Sequence, residues 1–373
     1  MEKEEDALEP VSPTGQYFNS LALNLSVLGV LETEVPIDDS KTIPLVRDVF
    51  LPINPRFSSI MRADNPSLPL TFPSVQPRVD TSGDHRTIFK TVPKIFSLLF
   101  NTVSDFLGSL MKSSLVEDDL SPIRSGDIGI EFRPIALASM TFSLGQIKQI
   151  KATLGVTIND VITGSIFLGT RLYMQEMSKG SSDHSNCTAL VLLNTRMFRS
   201  YQSIQEMVKP KAESRWGNHF AFLHVQLPEL VASTELNPIE FVRKAQQIIK
   251  RKRSSLAVYL TAAFVEIVKK LKGHEVAAQC IHKTLLNASM AITNMIGPVE
   301  KMSLANHPIK GMYFAVSGNP QSLTITIVSY MDELRVTVGA EKGFIDVQKL
   351  KSYIEEAFQM IIKSAACEIQ QMQ

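Results

Sequence analysis

The sequence holds few of the residues that announce a chemistry. Its 373 residues include only three cysteines, Cys187, Cys280 and Cys367, far apart and with no C-x-x-C pair. That excludes a disulfide framework and a cysteine zinc site, and it fits buried thiols in a reducing compartment. The formal net charge is only +1, so no nucleic-acid partner held by bulk electrostatics is expected. No stretch reaches the roughly 18 uninterrupted apolar residues of a membrane-spanning helix. There is no G-x-S-x-G. None of the seven histidines (His85, His184, His219, His224, His274, His282 and His307) adjoins another. A nucleophile constellation is therefore missing. His219 and His224 fall on opposite faces of one strand and cannot share a ligand or a proton. Neither a metal site nor a resident cofactor is expected.

What remains is an ordinary globular composition, 44% apolar and 20% charged, long enough for two domains with a sizeable core. The first residues, Glu2-Lys3-Glu4-Glu5-Asp6, are acidic where a secretory signal is basic. Alternation over Leu21–Leu31 predicts a strand. Ser40 is expected to cap a helix whose face carries Ile43, Val46, Val49 and Phe50, stopped by Pro52 and Pro55. Phe57–Met61 begins an extended segment that ends almost at once. The stretch from Arg62 to Pro77 contains Pro66, Pro69, Pro73 and Pro77 and reads as a linker.

Pro93–Lys112 predicts an amphipathic helix. Ile95, Phe96, Leu99, Val103, Phe106, Leu107 and Leu110 form its apolar face, and Asp105 and Lys112 lie opposite. Two readings stay open: packing on its own domain, or lying in a membrane interface.

From residue 135 the pattern becomes regular. It predicts a strand over Ile135–Phe142, a helix over Leu144–Leu154 ended near Gly155, a long helix over Asn159–Met177, and strands over Ala189–Asn194 and His219–Leu227. Asn237-Pro238-Ile239-Glu240 opens a capped helix that ends in Lys250-Arg251-Lys252-Arg253, cations suited to the negative end of its dipole. Two more helices follow, then a strand over Ser289–Thr293. Thr324–Tyr330 and Glu333–Val338 form a hairpin around Met331-Asp332, and Asp346 caps the last helix. Strands and helices at this spacing predict an α/β domain with a mixed sheet.

Four short blocks invite a functional reading. Asn159-Asp160 opens the long helix, either as an N-cap with an acidic first turn or as part of a site wall. Asn194-Thr195-Arg196 ends a buried strand, with Arg196 as a surface cation or as a partner for carboxylate or phosphate at a channel mouth. Arg215-Trp216-Gly217-Asn218 contains the lone tryptophan, as core or as substrate wall. In AITNMIGP, from Ala291 to Pro298, a strand delivers Thr293-Asn294 to a Gly297-Pro298 turn, where an amide can face a cleft. The basic run Lys250–Arg253 has a further reading as a contact for anionic lipid or coenzyme A phosphates.

In this order the four blocks resemble the C-terminal half of the plant wax ester synthase/diacylglycerol acyltransferase family. The N-terminal EPVSPTGQYF and PRFSS are similar to that family too. The DFGWG signature of the related BAHD acyltransferases is absent. The resemblance implies a chloramphenicol-acetyltransferase-like α/β fold of two domains with a channel between them. It implies fatty acyl-CoA as co-substrate, a long-chain alcohol or diacylglycerol as acceptor, and wax ester or triacylglycerol as product. It also implies work at a membrane, the endoplasmic reticulum and sometimes the plasma membrane. Asn159, Asp160, Asn194, Arg196, Trp216, Asn218, Asn294 and Gly297 become substrate-channel candidates.

The family's HHxxxDG, whose second histidine is the general base, is missing, as is the PLW element before it. Both belong at the junction Ser59 to Asp64. The implied organisation is a remnant of the N-terminal domain over residues 1–61, a Pro-rich linker and amphipathic helix over 62–134, and a C-terminal acyltransferase domain over 135–373. Two functions follow: an acyl-CoA-dependent O-acyltransferase, or an inactive relative retaining an acyl- or partner-binding domain. Loss of interior strands is also expected to expose sheet edges and apolar surface, giving low solubility or aggregation of residues 1–130.

Overall fold

The computed structural model describes residues 20–53, 102–178, 185–194, 220–230 and 236–372. Among the described residues nine strands form two sheets. β2 (Ile135–Ser143), β3 (Thr188–Asn194), β4 (Phe220–Gln226), β5 (Met290–Ile296), β8 (Leu323–Tyr330) and β9 (Glu333–Glu341) make a mixed six-stranded sheet in the order β2-β9-β8-β5-β3-β4. β1 (Ser26–Thr33), β7 (His307–Ser317) and β6 (Ser303–Leu304) make a small sheet in the order β1-β7-β6. The chain is mixed α/β, as the sequence predicts.

Helices cover both faces of the large sheet. α3 (Leu144–Leu154), α4 (Ile158–Met177), α5 (Pro238–Ser254) and α8 (Val347–Met372) share the main core with alternate strand residues. Ala189 and Val191 point into that core, whereas Leu190 between them joins a second cluster with α7 (His274–Leu286). Alternation along β3 thus defines two layers. α6 (Ala257–Lys272) flanks α7 through Val265 and Val268. α4 crosses its neighbours at two glycines. A Cβ at Gly164 would lie 2.7 Å from the Val242 Cα, and one at Gly169 2.5 Å from the Ile354 Cα, so only hydrogen fits where these helices meet.

Several predicted ends are met. Gly155 ends α3 at φ 64°, Asn237 caps α5 with Pro238 following, Met331 turns the β8–β9 hairpin at φ 51°, and the Asp346 carboxylate accepts the Gln348 and Lys349 amides. Others shift. The N-terminal strand begins at Ser26, because Leu23 is buried against α7 and the Ala22 amide donates to Glu275 at 2.7 Å. α1 (Asp39–Leu45) is capped by Asp38, which accepts the Ser40 amide, so Ser40 is not the cap. β7, a strand beyond those the sequence pattern predicts, pairs antiparallel with β1 from Ser26↔Ser317 onward.

The amphipathic helix keeps only part of its predicted pattern in its described part, α2 over residues 102–114: Phe106 and Leu110 are half-buried and Ser104 and Gly108 exposed. Thr102 and Asp105 are buried, while Val103, Leu107 and Met111 are exposed. The reason is electrostatic: Asp105 accepts from Arg251 at 3.2 Å and Lys252 at 3.0 Å. The basic end of α5 is therefore partly consumed inside the fold and is not simply solvated. Both cations meet one oxygen, Oδ1, while Oδ2 is buried without a hydrogen-bond partner among the described residues, so removing the cations would leave an uncompensated buried charge.

Candidate functional site

β3 and β5 run parallel, but their pairing spans only Ala189↔Met290 to Val191↔Ile292. Beyond it, among the described residues, β3 continues as far as Asn194 against β4 alone, and β5 continues from Thr293 to Ile296 against β8 alone. The sheet therefore opens between the carboxyl ends of two parallel strands, a recurrent place for ligands in α/β sheets. The opening is set from below by Asp118. This buried carboxylate accepts the backbone amides of Thr188 and Ser289 and both their hydroxyls, Thr188 Oγ1 at 2.8 Å and Ser289 Oγ at 2.6 Å. One anion ties together the starts of β3 and β5, so they begin side by side and part at their far ends. Asp118 carries no local signal in the sequence, because nothing nearby ties residue 118 to residues 188 and 289.

The N-terminus of α4 reaches this opening. Asn294 Nδ2, on β5, donates to Asn159 Oδ1, in the first turn of α4, at 3.1 Å. Two predicted candidates, 135 residues apart, thus meet. Asn294 is exposed and Asn159 half-buried. Asp160 does not reach outward. It is 5% exposed and accepts the Thr157 amide at 2.8 Å, while Thr157 Oγ1 accepts the Asp160 amide at 3.2 Å. This reciprocal capping box makes Thr157 the N-cap, in place of Asn159-Asp160 as expected, and frees Asn159 to project. The T-x-x-D spacing was visible in the sequence and could have told the two roles apart.

Gly297 is needed for space and not for unusual angles. It does not adopt positive φ. A Cβ there would lie 2.0 Å from the Ser329 carbonyl oxygen, and its amide donates to Ser329 Oγ at 3.2 Å. The β5 exit is thereby pressed onto β8, and the Met331 amide donates to the Pro298 carbonyl at 3.1 Å. Asn194 is the last residue of β3, opposite Phe220. Arg196, Trp216 and Asn218 lie outside the described residues.

The site offers amide donors and acceptors, with the amide ends of a helix behind them. Such groups orient a carbonyl, a hydroxyl or an anion, but an amide accepts no proton at neutral pH. The described histidines are engaged elsewhere. His282 pairs with Glu131 at 3.3 Å, and His307 Nε2 accepts the Asp38 amide at 3.1 Å. His274 lies 4.0 Å from Glu275. His224 sits on β4, separated from β5 by β3, and burial, with Lys112 and then Lys252 adding repulsion, lowers its pKa to about 3. An imidazole that weakly basic is a poor general base.

Comparison with known proteins agrees with this reading of the chain's C-terminal part. The family described as "WS/DGAT C-terminal domain" matches residues 216–362. Arabidopsis thaliana wax ester synthase/diacylglycerol acyltransferase 4 is 32% identical over 315 residues, covering 79% of this chain and 59% of that protein. Number 6 of the same plant series is 29% identical over 299 residues, covering 75% of this chain and 57% of that protein. The chain thus spans less than two thirds of the length of these relatives. Among solved structures, the wax ester synthase/diacylglycerol acyltransferase from Marinobacter aquaeolei VT8 aligns with a TM-score of 0.44 at 15% identity, over 74% of this chain and 58% of that one. By sequence, this chain belongs to the wax ester synthase/diacylglycerol acyltransferase family, whose C-terminal domain it carries.

Proposed function

We propose that this chain is the acyl-binding, C-terminal half of an acyl-CoA-dependent O-acyltransferase, and that by itself it binds fatty acyl-CoA without transferring the acyl group. The observation that carries the proposal is a pair of orienting amides with no base beside them among the described residues. Asn159 and Asn294 meet where the sheet opens, while the sequence has no paired histidines and no HHxxxDG. Transfer to an alcohol requires removal of the hydroxyl proton as oxygen attacks the thioester, and general-base catalysis is commonly worth about 10²–10⁴ in rate. The acceptor of the complete reaction is a long-chain alcohol or diacylglycerol, giving wax ester or triacylglycerol. The reading with turnover is favoured by one fact, the similarity of 79% of the chain to a relative named for that activity.

Such substrates are handled at a membrane surface, that of the endoplasmic reticulum first and the plasma membrane second. The outward Val103, Leu107 and Met111 of α2 suit that location.

Calorimetric titration of the full chain with palmitoyl-CoA tests the binding proposal. Saturable binding is expected, weakened roughly fivefold by Asn294→Ala, the size of one net hydrogen bond, with the melting temperature unchanged because Asn294 is exposed. Absence of binding by the folded chain would overturn it.

A further inference from the structure

β1 is an unusual strand. It is eight residues long, no residue in it is buried, and among the described residues its only strand neighbour is β7. Its second edge therefore carries backbone donors and acceptors with no described strand beside them, and Val27, Leu28 and Leu31 are 64%, 53% and 41% exposed. Edge strands of soluble proteins are usually guarded by lysine, proline, a bulge or brevity. From Ser26 to Glu32 β1 has none of these: its one irregularity falls after Glu32, at the step to Thr33.

We propose that this edge is a homotypic interface, in which β1 pairs antiparallel with β1 of a second copy of the chain about a two-fold axis at Gly29. The proposal is independent of the acyltransferase reading. Only an extended backbone satisfies a strand edge, and the sequence of β1 is self-complementary in this register. Val27 falls opposite Leu31, Leu28 opposite Val30, and Ser26 opposite Glu32. No like charges face each other, and a two-fold pairing uses the same patch on both partners. Glu32 is already neutralised within its own protomer, since Arg335 donates to both its carboxylate oxygens at 3.0 and 2.9 Å. Gly29 itself leaves its surroundings open, with no atom within 4 Å of a Cβ built there and no positive φ. A side chain at this position is tolerated by the protomer and is felt mainly at the proposed axis, where it would meet its own copy.

Sedimentation velocity of the full chain over a concentration series tests the pairing, with hydrogen exchange reporting on β1. A monomer–dimer equilibrium is expected, with the β1 amides gaining protection as the dimer forms. Gly29→Lys sets two like charges directly opposite and is expected to weaken association roughly fivefold without lowering the melting temperature. Gly29→Val, which suits a strand, is expected to preserve or strengthen it. A chain that stays monomeric at every concentration would overturn the proposal. So would a dimer that Gly29→Lys leaves unchanged, or association that leaves β1 unprotected.

Discussion

β8 and β1 are both eight-residue strands rich in β-branched and aliphatic residues, LTITIVSY and SVLGVLET. β8 is buried at every position but Ser329, and β1 is buried at none. The difference lies in their neighbours. β8 lies between β5 and β9 in the large sheet, with Leu323, Ile325 and Ile327 in the main core. On its other face the Thr326 hydroxyl donates to the Phe314 carbonyl of β7, and the Tyr330 hydroxyl donates to the Ile309 carbonyl at 3.1 Å. β1 has β7 on one side and the Glu32–Arg335 bridge beneath it. Strand propensity is thus alike in the two regions, and burial, hence stability, is not.

The sharpest way to break this comparison is to damage the large sheet at its root. Asp118→Ala leaves two buried backbone amides and two hydroxyls without their anion. It is expected to cost about 3 kcal/mol in denaturant unfolding, with the whole large sheet losing exchange protection together. Gly169→Ala comes next. Its methyl would strike the Ile354 backbone, and the overpacking is expected to cost about 2 kcal/mol. By contrast Gly29→Ala, in open space on β1, is expected to leave the melting temperature within error.

Acid sharpens the comparison further. The folded pKa of His224, about 3, lies below its ordinary 6.5, so the unfolded chain takes up a proton that the folded chain refuses. Stability from this group is complete above pH 6.5 and falls as pH drops towards 3, by up to about 1.4 kcal/mol per pH unit. His224→Gln is expected to flatten that slope over the same range, as measured by urea unfolding at several pH values. A local effect belongs to the small sheet. Glu32→Gln weakens a part-exposed ion pair, worth at most about 1 kcal/mol, and is expected to speed exchange in β1 while leaving β8 untouched.

Much of the fold was legible where the determining contacts are local. The α3–Gly155–α4 run, the capped start of α5 and the β8–β9 hairpin all declare themselves within a few residues. What escaped depends on distant partners. β1 meets β7 across more than 270 positions of sequence, Asp118 reaches both Thr188 and Ser289, and α2 buries Asp105 against two cations that α5 supplies. The candidate site was half legible. The sequence marked Asn159 and Asn294, but that they touch follows only from the parting of β3 and β5. The sequence assigned the positive-φ role to Gly297, but there the crowding by Ser329 decides.

The central claim, a domain that holds an acyl group and lacks the means to transfer it, is tested most directly by one assay. Purified full-length chain would be incubated with radiolabelled palmitoyl-CoA and hexadecanol, or with diacylglycerol, in lipid vesicles, and the products separated by thin-layer chromatography. Bound acyl-CoA and no labelled ester above a heat-killed control are expected. Labelled wax ester or triacylglycerol that grows with time and protein concentration would contradict that claim.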